Sequence, residues 1–366
     1  MNQPHQRTDQ PPTQVGSAPF CRSVSSATVS SVRKPELEKR PASKAPGRSH
    51  TPAEPRRRRR RWRKLGARFL NLLVLCAAAT FAVLAVNGSD PPPKPDLTQV
   101  APDLRAFAGA LPWPTGGETA LWAQGVGDLG TCGKQTPVPI ASLAKVMTAY
   151  VVLRDHPLAA PSDPGPDVLV DDRAAMESLS ADESSAPVRG GQHISERTLL
   201  ELMLVPSANN VARLLARWDA GSEDAFVARM NATAAELGMQ NTTYADPAGY
   251  AAATRSTAAD QLELAESAFT DSTLLDITAR HDARVPDDPA ELPNTDSLLG
   301  LDGVVGGKTG SSTPAGGALM WAARRTIGGQ ERLVLGVVLH QGAGTTPDQG
   351  LARALTVSRR LITALR

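Results

Sequence analysis

The sequence predicts an α+β domain, an antiparallel sheet flanked by helices, preceded by a single N-terminal transmembrane helix and a disordered tail. Three observations lead to this prediction. A polar, basic start gives way to one long apolar run, and the rest of the chain has a globular composition. Within the globular part, one predicted strand is followed by several helices, two strands and a final helix. Strands that are grouped in this way are typical of an antiparallel sheet covered by helices.

The first segment, residues 1–64, is predicted to be a disordered, basic cytoplasmic tail. It is rich in Pro, Ser, Gln and Arg and has neither a helical nor a strand period, so it cannot bury enough apolar surface to offset the entropy of ordering. Residues 1–68 hold 17 basic and 4 acidic side chains, whereas residues 69–366 hold 22 basic and 33 acidic ones. Because the large globular part is acidic, the composition argues against a nucleic-acid-binding protein.

The next segment, residues 65–87, is predicted to be the transmembrane helix. Residues 69–86 are apolar except for Asn71 and Thr80, and at 1.5 Å per residue a helix here nearly crosses the hydrocarbon core. The positive charge, including the arginines at 56–61, lies on its N-terminal side, which places the tail in the cytoplasm and the later residues outside the cell membrane. A cleaved signal peptide is the alternative, although the polar lead is far longer than an ordinary signal n-region.

A Pro-rich linker over residues 88–100 is expected to be extended, and one globular domain is predicted to span residues 101–366. Strands are predicted over residues 120–126, 318–323 and 332–340, with a hairpin turn at 326–329. Helices are predicted over residues 142–154, 196–204, 210–218, 225–237, 257–269 and 347–365. Only Cys21, Cys76 and Cys132 are present, which excludes a disulfide framework.

Lysine usage gives the first indication of chemistry. Only three lysines follow the linker, in a chain that otherwise uses Arg for positive charge. One of them, Lys145, follows Ser142 by three residues, so on a helix that begins near Ser142 both side chains share a face. A lysine whose pKa is lowered can take the proton of a serine hydroxyl, whereas Arg cannot. Ser-x-x-Lys alone is a weak pattern, and residues 31–34 match it within the predicted tail.

Two further short motifs follow in the chain. Ser207-Ala208-Asn209 lies at a break between two predicted helices, where an ordinary helix cap is the simpler interpretation. Lys308-Thr309-Gly310 lies before the predicted strand pair. It does not complete a phosphate-binding loop, because that pattern requires a Gly at position 302 and the residue there is Asp302.

Taken in order, Ser-x-x-Lys, Ser-x-Asn and Lys-Thr-Gly are the signature set of active-site serine penicillin-binding proteins and β-lactamases. Residues 237–249, 256–260 and 294–299 narrow the resemblance to the D-alanyl-D-alanine carboxypeptidase family, the low-molecular-mass penicillin-binding proteins. The similarity covers about residues 101–366. It implies a DD-peptidase/β-lactamase-like fold and a serine peptidase acting on peptidoglycan peptide stems, with β-lactam antibiotics as inhibitors. A cofactor is not expected, and the scattered histidines do not suggest a metal site.

The motif residues then receive roles. Ser142 is the expected nucleophile and Lys145, neutral through burial and the nearby charge of Lys308, is the expected base. Ser207 is expected to relay a proton to the leaving amine, and Asn209 to hold both Lys145 and the substrate amide.

The remaining motif residues are assigned to substrate binding. Lys308 and Thr309, in the Lys-Thr-Gly310 motif, are expected to bind the terminal carboxylate of the substrate. By resemblance, the backbone N–H groups of Ser142 and Ser311 form the oxyanion hole.

One departure and three alternatives stay open at this stage. Some carboxypeptidases have an Arg that helps to hold the carboxylate where this chain reads His340-Gln341-Gly342. A β-lactamase is one alternative, although residues 241–250 contain no Glu to activate water for deacylation. A DD-endopeptidase that cuts peptidoglycan cross-links is the second alternative. A catalytically silent wall-binding scaffold is the third.

Overall fold

The structure is a computed structural model, and it describes residues 109–365. The predicted tail (1–64), transmembrane helix (65–87) and linker (88–100) therefore lie outside the described residues. Among the residues that are described, no helix combines the length and the hydropathy that a membrane span requires.

The strands are named in chain order: β1 (Glu118–Ala123), β2 (Gly127–Cys132), β3 (Val138–Pro139), β4 (Asp167–Leu169), β5 (His193–Ser195), β6 (Arg255–Ser256), β7 (Asp282–Ala283), β8 (Leu292–Pro293), β9 (Val304–Ser312), β10 (Gly316–Ile327) and β11 (Gln330–Gln341). Five of them form the central antiparallel sheet, in the order β2-β1-β11-β10-β9. The short strands pair as β3 with β6, β4 with β5 and β7 with β8.

The helices are α1 (Ala144–Asp155), α2 (Asp172–Glu177), α3 (Glu196–Leu204), α4 (Asn209–Ala220), α5 (Glu223–Glu236), α6 (Ala258–Ala268), α7 (Ser272–Thr278) and α8 (Pro347–Ala364). Helix α8 packs against β9, β10 and β11, and helix α6 packs against β1 and β11. The sheet therefore has helices on its two sides, which agrees with the predicted fold class.

The interior strand β10 is buried on both faces because its side chains alternate between two cores. Ala318, Met320 and Ala322 belong to the larger core, which contains most of the helices. Leu319, Trp321 and Ala323 belong to the second core, formed with α8. The indole of Trp321 lies over Gly336 of β11, where an added Cβ would be 2.1 Å from the ring. A glycine is therefore required beneath that ring.

The predicted hairpin joins β10 to β11. Ile327 pairs with Gln330, which leaves Gly328 and Gly329 as a two-residue turn. Both glycines have positive φ angles, 62° and 78°, as a type I′ turn requires.

Most predicted helices agree with the structure within about two residues, and that at 196–204 has the predicted bounds. The main difference is at Ser142, which lies in a single 3-10 turn (Ala141–Leu143) before α1 begins at Ala144. Ala141 has a left-handed φ of 48°, which an α-helix cannot accommodate. The first strand also ends at Ala123, three residues earlier than predicted.

Candidate active site

The candidate nucleophile, Ser142, lies in a turn that two other segments approach closely. A Cβ at position 310 would lie 2.9 Å from the carbonyl oxygen of Ile140 and 3.1 Å from the backbone nitrogen of Ser142. A Cβ at position 249 would lie only 1.8 Å from the carbonyl oxygen of Ala141. Gly310 and Gly249 therefore allow the backbones of β9 and of the segment before β6 to pack directly on this turn.

Lys145 occupies the first turn of α1 and is fully buried. Its Nζ lies 2.8 Å from Ser142 Oγ, 2.6 Å from Asn209 Oδ1 and 2.9 Å from the carbonyl oxygen of Ala248. The last two oxygens can only accept hydrogen bonds. A neutral lysine amine has two N–H groups, and these two acceptors use both of them. The remaining lone pair of the amine then faces the hydroxyl of Ser142.

The surroundings of Lys145 favour this neutral form. Burial, and after it the positive charge of Lys308, lowers the pKa of Lys145 well below its usual value. Asp246 and Glu183 act in the opposite direction, and Arg213 acts in the same direction as Lys308. The amine is therefore better suited to accept a proton as the neutral base than an exposed lysine is.

The Ser207-Ala208-Asn209 motif connects α3 to α4. Asn209 is the first residue of α4, and its side-chain oxygen reaches Lys145. Ser207 is buried, with a left-handed φ of 68°, which is uncommon for a residue other than glycine. The structure thus brings Asn209 into direct contact with Lys145, the candidate base, and leaves Ser207 buried two residues before Asn209.

The Lys-Thr-Gly motif lies within β9, an edge strand of the central sheet. Lys308 is buried, and its Nζ donates to the carbonyl oxygen of Thr309 at 3.0 Å. Burial lowers the pKa of Lys308 to about 7, against the opposing effect of the buried Asp296 carboxylate. The third motif lies beside the first, because Gly310 packs against the turn that contains Ser142. The hydroxyl of Thr309 is hydrogen-bonded to that of Thr295.

An open pocket of about 490 Å³ joins these elements. Ser142, Asn209 and Ser311 all line it, so residues from the three motif segments face one space. Since β9 is an edge strand, one of its sides carries main-chain groups that the sheet does not use. Among the described residues, we find no cluster of His, Cys, Asp or Glu that could hold a metal ion.

Two residues that contact the site, Glu183 and Ala248, were not among the candidates predicted from the sequence. Glu183, in the loop between α2 and β5, lines the pocket and accepts a hydrogen bond of 2.7 Å from Asn209 Nδ2. Nothing in the sequence marks this residue, because it is one acidic side chain in a polar loop. The other missed contact, the Ala248 carbonyl, lies in the Asp-Pro-Ala-Gly stretch that the resemblance had indicated.

A serine hydroxyl beside a buried lysine of lowered pKa, within an α+β fold, defines an active-site serine hydrolase. Residues 130–342 match the family profile described as D-alanyl-D-alanine carboxypeptidase. The chain belongs to this family of serine peptidases, as the three motifs had predicted.

Curated relatives and solved structures agree with this assignment. The chain is 32% identical over 255 residues to the D-alanyl-D-alanine carboxypeptidase DacB2 of Mycobacterium tuberculosis, covering 66% of this chain and 82% of the relative. It is 41% identical over 127 residues to a D-alanyl-D-alanine endopeptidase of Pseudomonas aeruginosa, covering 35% of this chain and only 38% of that protein. The crystal structure of a Streptomyces DD-transpeptidase superposes with a TM-score of 0.58 at 26% identity, covering 69% of this chain and 98% of the other.

Proposed function

We propose that this protein removes the terminal D-Ala from peptidoglycan stem pentapeptides through an acyl-enzyme on Ser142. The observation that carries the proposal is the position of the Lys145 amine, which is buried and lies 2.8 Å from the Ser142 hydroxyl. Two carbonyl acceptors occupy its N–H groups, so its lone pair is available for one proton only, that of Ser142.

Acylation begins when Ser142 Oγ attacks the carbonyl carbon of the D-Ala–D-Ala bond and Lys145 takes the hydroxyl proton. The backbone N–H groups of Ser142 and Ser311 stabilise the oxyanion, and one such donor typically lowers the barrier by about 3–4 kcal/mol. Lys145 then returns its proton through Ser207 to the departing amine, so the C–N bond breaks, D-Ala leaves and Lys145 is neutral again. Water then hydrolyses the ester, with Lys145 again acting as the base.

Substrate recognition rests on the free carboxylate of the terminal D-Ala. Lys308 supplies positive charge and Thr309 supplies a hydroxyl donor. Where some family members have an Arg that helps, this chain has His340-Gln341-Gly342, and Gln341 is buried and donates to the carbonyl oxygen of Gly116 at 2.8 Å. Binding of the carboxylate raises the pKa of Lys308 from about 7, because the negative charge favours the protonated amine.

β-Lactam antibiotics are expected to acylate Ser142 by the same steps, and a lasting acyl-enzyme is expected rather than β-lactamase turnover. Neither acidic side chain near Lys145 is suited to activate water. Asp246 accepts hydrogen bonds from the backbone of Ala248, Tyr250 and Ala251 and from Thr254, so it has a structural role. Glu183 is occupied by Arg213 and Asn209.

A second candidate function is cleavage of peptidoglycan cross-links. It is favoured by the endopeptidase names of two relatives, although each match covers only 38% of the relative. The pocket is open to solvent on the side of Tyr250, which leaves room for a larger substrate.

Mass spectrometry tests the proposal and separates these candidates. Purified protein is incubated with a stem pentapeptide and, separately, with cross-linked muropeptides. Loss of one D-Ala from the pentapeptide, abolished in Ser142→Ala, is the expected result. Release of monomers from the cross-linked substrate without loss of D-Ala would instead assign the endopeptidase activity. If the wild type does neither and fluorescent penicillin does not label it, the silent scaffold becomes the correct interpretation.

We also propose that residues 65–87 anchor the protein in the cell membrane by a single pass. The tail at 1–64 is then cytoplasmic, the linker at 88–100 is extended and the catalytic domain at 101–366 is extracytoplasmic. Support comes from the apolar run and from the basic residues on its N-terminal side.

A further inference from the structure

The carboxylate of Glu183 binds the far end of the Asn209 amide, opposite Lys145. Asn209 Nδ2 donates to Glu183 Oε2 at 2.7 Å, while Asn209 Oδ1 accepts from Lys145 Nζ at 2.6 Å. The Glu183 side chain is only 11% exposed. A single amide group thus connects this largely buried carboxylate to the proposed base.

Arg213 holds Glu183 in place from helix α4. Its Nη2 donates to Glu183 Oε1 at 2.6 Å and its Nη1 donates to Oε2 at 3.2 Å. Partial burial alone would raise the pKa of Glu183, but the hydrogen bonds from Arg213 and Asn209 outweigh burial and lower that pKa. Glu183 is therefore an ionised group that can only accept hydrogen bonds.

This arrangement determines which end of the Asn209 amide faces the base. The two ends of an Asn side chain are nearly equal in shape, so hydrogen-bond partners decide its orientation. If the amide turned over, its oxygen would face the Glu183 carboxylate, acceptor against acceptor. Its NH₂ group would then face Lys145 and donate to the amine lone pair. That lone pair would no longer be free to accept the proton of Ser142.

We propose that Glu183 is a positioning residue, which fixes the Asn209 amide so that the lone pair of Lys145 remains directed at Ser142. The inference rests on the proposed function, because it assumes that Lys145 is the base. Glu183 acts only through Asn209, and it needs no contact with the substrate.

The test is Glu183→Gln, an isosteric variant whose amide can also donate. It removes the preference of Asn209 for one orientation, so the rate constant for acylation by a fluorescent penicillin is expected to fall roughly 10-fold to 100-fold. The affinity that precedes acylation should not change, because Lys308 and Thr309 are intact. The rate is measured from pH 5 to 9, together with the melting temperature of each variant.

The pH profile separates positioning from general damage to the fold. The charged groups that affect Lys145 are Lys308, Asp246, Arg213 and Glu183. Glu183→Gln removes a negative charge that favours protonated Lys145, and it leaves the positive charge of Arg213 without this neutralising partner. Both effects make protonation of Lys145 less favourable. The acid limb of the profile should therefore move to lower pH. Glu183→Asp keeps an acceptor-only carboxylate, so its acid limb should remain at the wild-type position and its rate should be partly restored.

Glu177→Gln is the matched control. Glu177 accepts a hydrogen bond of 3.0 Å from Nε of the same Arg213 but makes none with Asn209. Its acylation rate and its acid limb should stay close to those of the wild type. Equal slowing in Glu177→Gln would assign the effect to Arg213 and overturn the proposal.

An unchanged rate and an unmoved acid limb in Glu183→Gln would also overturn the proposal. If Glu183→Gln does not fold, Glu183→Asp takes its place. A slower Glu183→Asp with the pH dependence of the wild type supports the proposal, whereas a displaced acid limb contradicts it. Release of D-Ala by the wild type is followed in parallel. If penicillin acylates the wild type but no D-Ala is released, the proposed function fails and the positioning role is judged on acylation alone.

Discussion

At the scale of single residues, the chemistry depends on one amine in an unusual environment. Lys145 is fully buried, close to a second buried lysine, and its hydrogen bonds involve two carbonyl oxygens and one hydroxyl. A buried ammonium ion without a carboxylate partner is costly, so the neutral amine is favoured. The same environment that disfavours the charged form therefore supports the proposed role of Lys145 as the base.

The first prediction concerns Lys145→Ala. Removing a general base typically lowers a rate by 10²–10⁴-fold, and the rate constant for penicillin acylation should fall by about that factor. Lys134→Ala is the control, because Lys134 is an exposed lysine in the loop after β2. Equal acylation rates in Lys145→Ala and the wild type, measured by stopped-flow labelling, would contradict the assigned base.

The second prediction concerns the pH dependence of kcat/KM for D-Ala release. The rate should rise with pH as Lys145 loses its proton, and it should fall as Lys308, whose pKa is about 7 in the free enzyme, becomes neutral and no longer attracts the carboxylate. In kcat the alkaline limb should lie at higher pH, because the bound carboxylate stabilises the protonated Lys308.

Lys308→Arg checks the assignment of the alkaline limb. An arginine remains charged throughout this range, so the limb near pH 7 should disappear from the kcat/KM profile while the acid limb remains. A limb that persists unchanged in this variant would show that another group causes it.

At the scale of secondary-structure elements, the site requires β9 to lie directly against the turn that contains Ser142. Gly310 makes this approach possible, since a Cβ there would lie 3.1 Å from the backbone nitrogen of Ser142. That nitrogen is a proposed oxyanion donor. A wider spacing between β9 and the turn of Ser142 would therefore displace this donor and weaken stabilisation of the transition state.

The third prediction is that Gly310→Ala slows acylation by about 10²–10³-fold, the loss typical of one displaced oxyanion donor. The melting temperature should change little, because β9 keeps its pairing with β10 in this variant. Gly116→Ala is the matched control, since a Cβ there meets no atom within 4 Å and its rate should equal that of the wild type. A normal rate in Gly310→Ala would mean that the turn can shift without cost.

Glu196, the first residue of helix α3, is a buried carboxylate that destabilises the fold when it is ionised. Glu196 is fully buried, and neither of its side-chain oxygens has a hydrogen-bond partner among the described residues. Burial, with the nearby charges of Asp163 and Asp219, raises the pKa of Glu196 to about 7. Between about pH 4.5 and 7 the folded protein keeps a proton that the unfolded chain releases, so stability falls as pH rises through this window.

The fourth prediction is that Glu196→Gln removes this decline. The neutral side chain does not titrate, so above pH 7 the variant should melt at a higher temperature than the wild type. The gain should be about 2–4 °C for each kcal/mol recovered. Thermal melts from pH 4.5 to 8 measure this effect, with the exposed Glu263→Gln as a control that should follow the wild type. Parallel curves for Glu196→Gln and the wild type would contradict the prediction.

Elements and motifs differ in how far the sequence could predict them. Helix 196–204 was predicted with correct bounds because Ser195 caps it and its apolar period is regular. Strand β9 was indicated only by its motif, because Gly306, Gly307 and Gly310 give it a low strand propensity. Glu183 could not be predicted, because its contact with Asn209 depends on how a loop packs against α4. The roles given to the motif residues remain predictions, namely those of Ser142, Lys145, Ser207, Asn209, Lys308, Thr309, Gly310 and Ser311.

At the scale of the whole molecule, the chain combines two segments of opposite charge. Residues 1–68 carry 17 basic and 4 acidic side chains, and residues 69–366 carry 22 basic and 33 acidic ones. The apolar run at 69–86 lies between the basic N-terminal segment and the acidic remainder of the chain. Basic residues resist transfer across a membrane, so this order favours a cytoplasmic N-terminus and an external acidic domain.

The fifth prediction tests this arrangement with a full-length protein that carries an epitope tag at its N-terminus. The tag should remain on the penicillin-labelled band, and the band should stay in the membrane pellet after washing with high salt and alkaline carbonate, because an apolar helix is not released by screening charge. A variant that lacks residues 1–87 should be released from the pellet and still acylate at the wild-type rate, since none of the residues proposed for the site is removed. Loss of the tag from a labelled band of lower mass would favour a cleaved signal peptide. Release of the full-length protein by salt alone would show attachment through the arginines at 56–61 rather than a spanning helix.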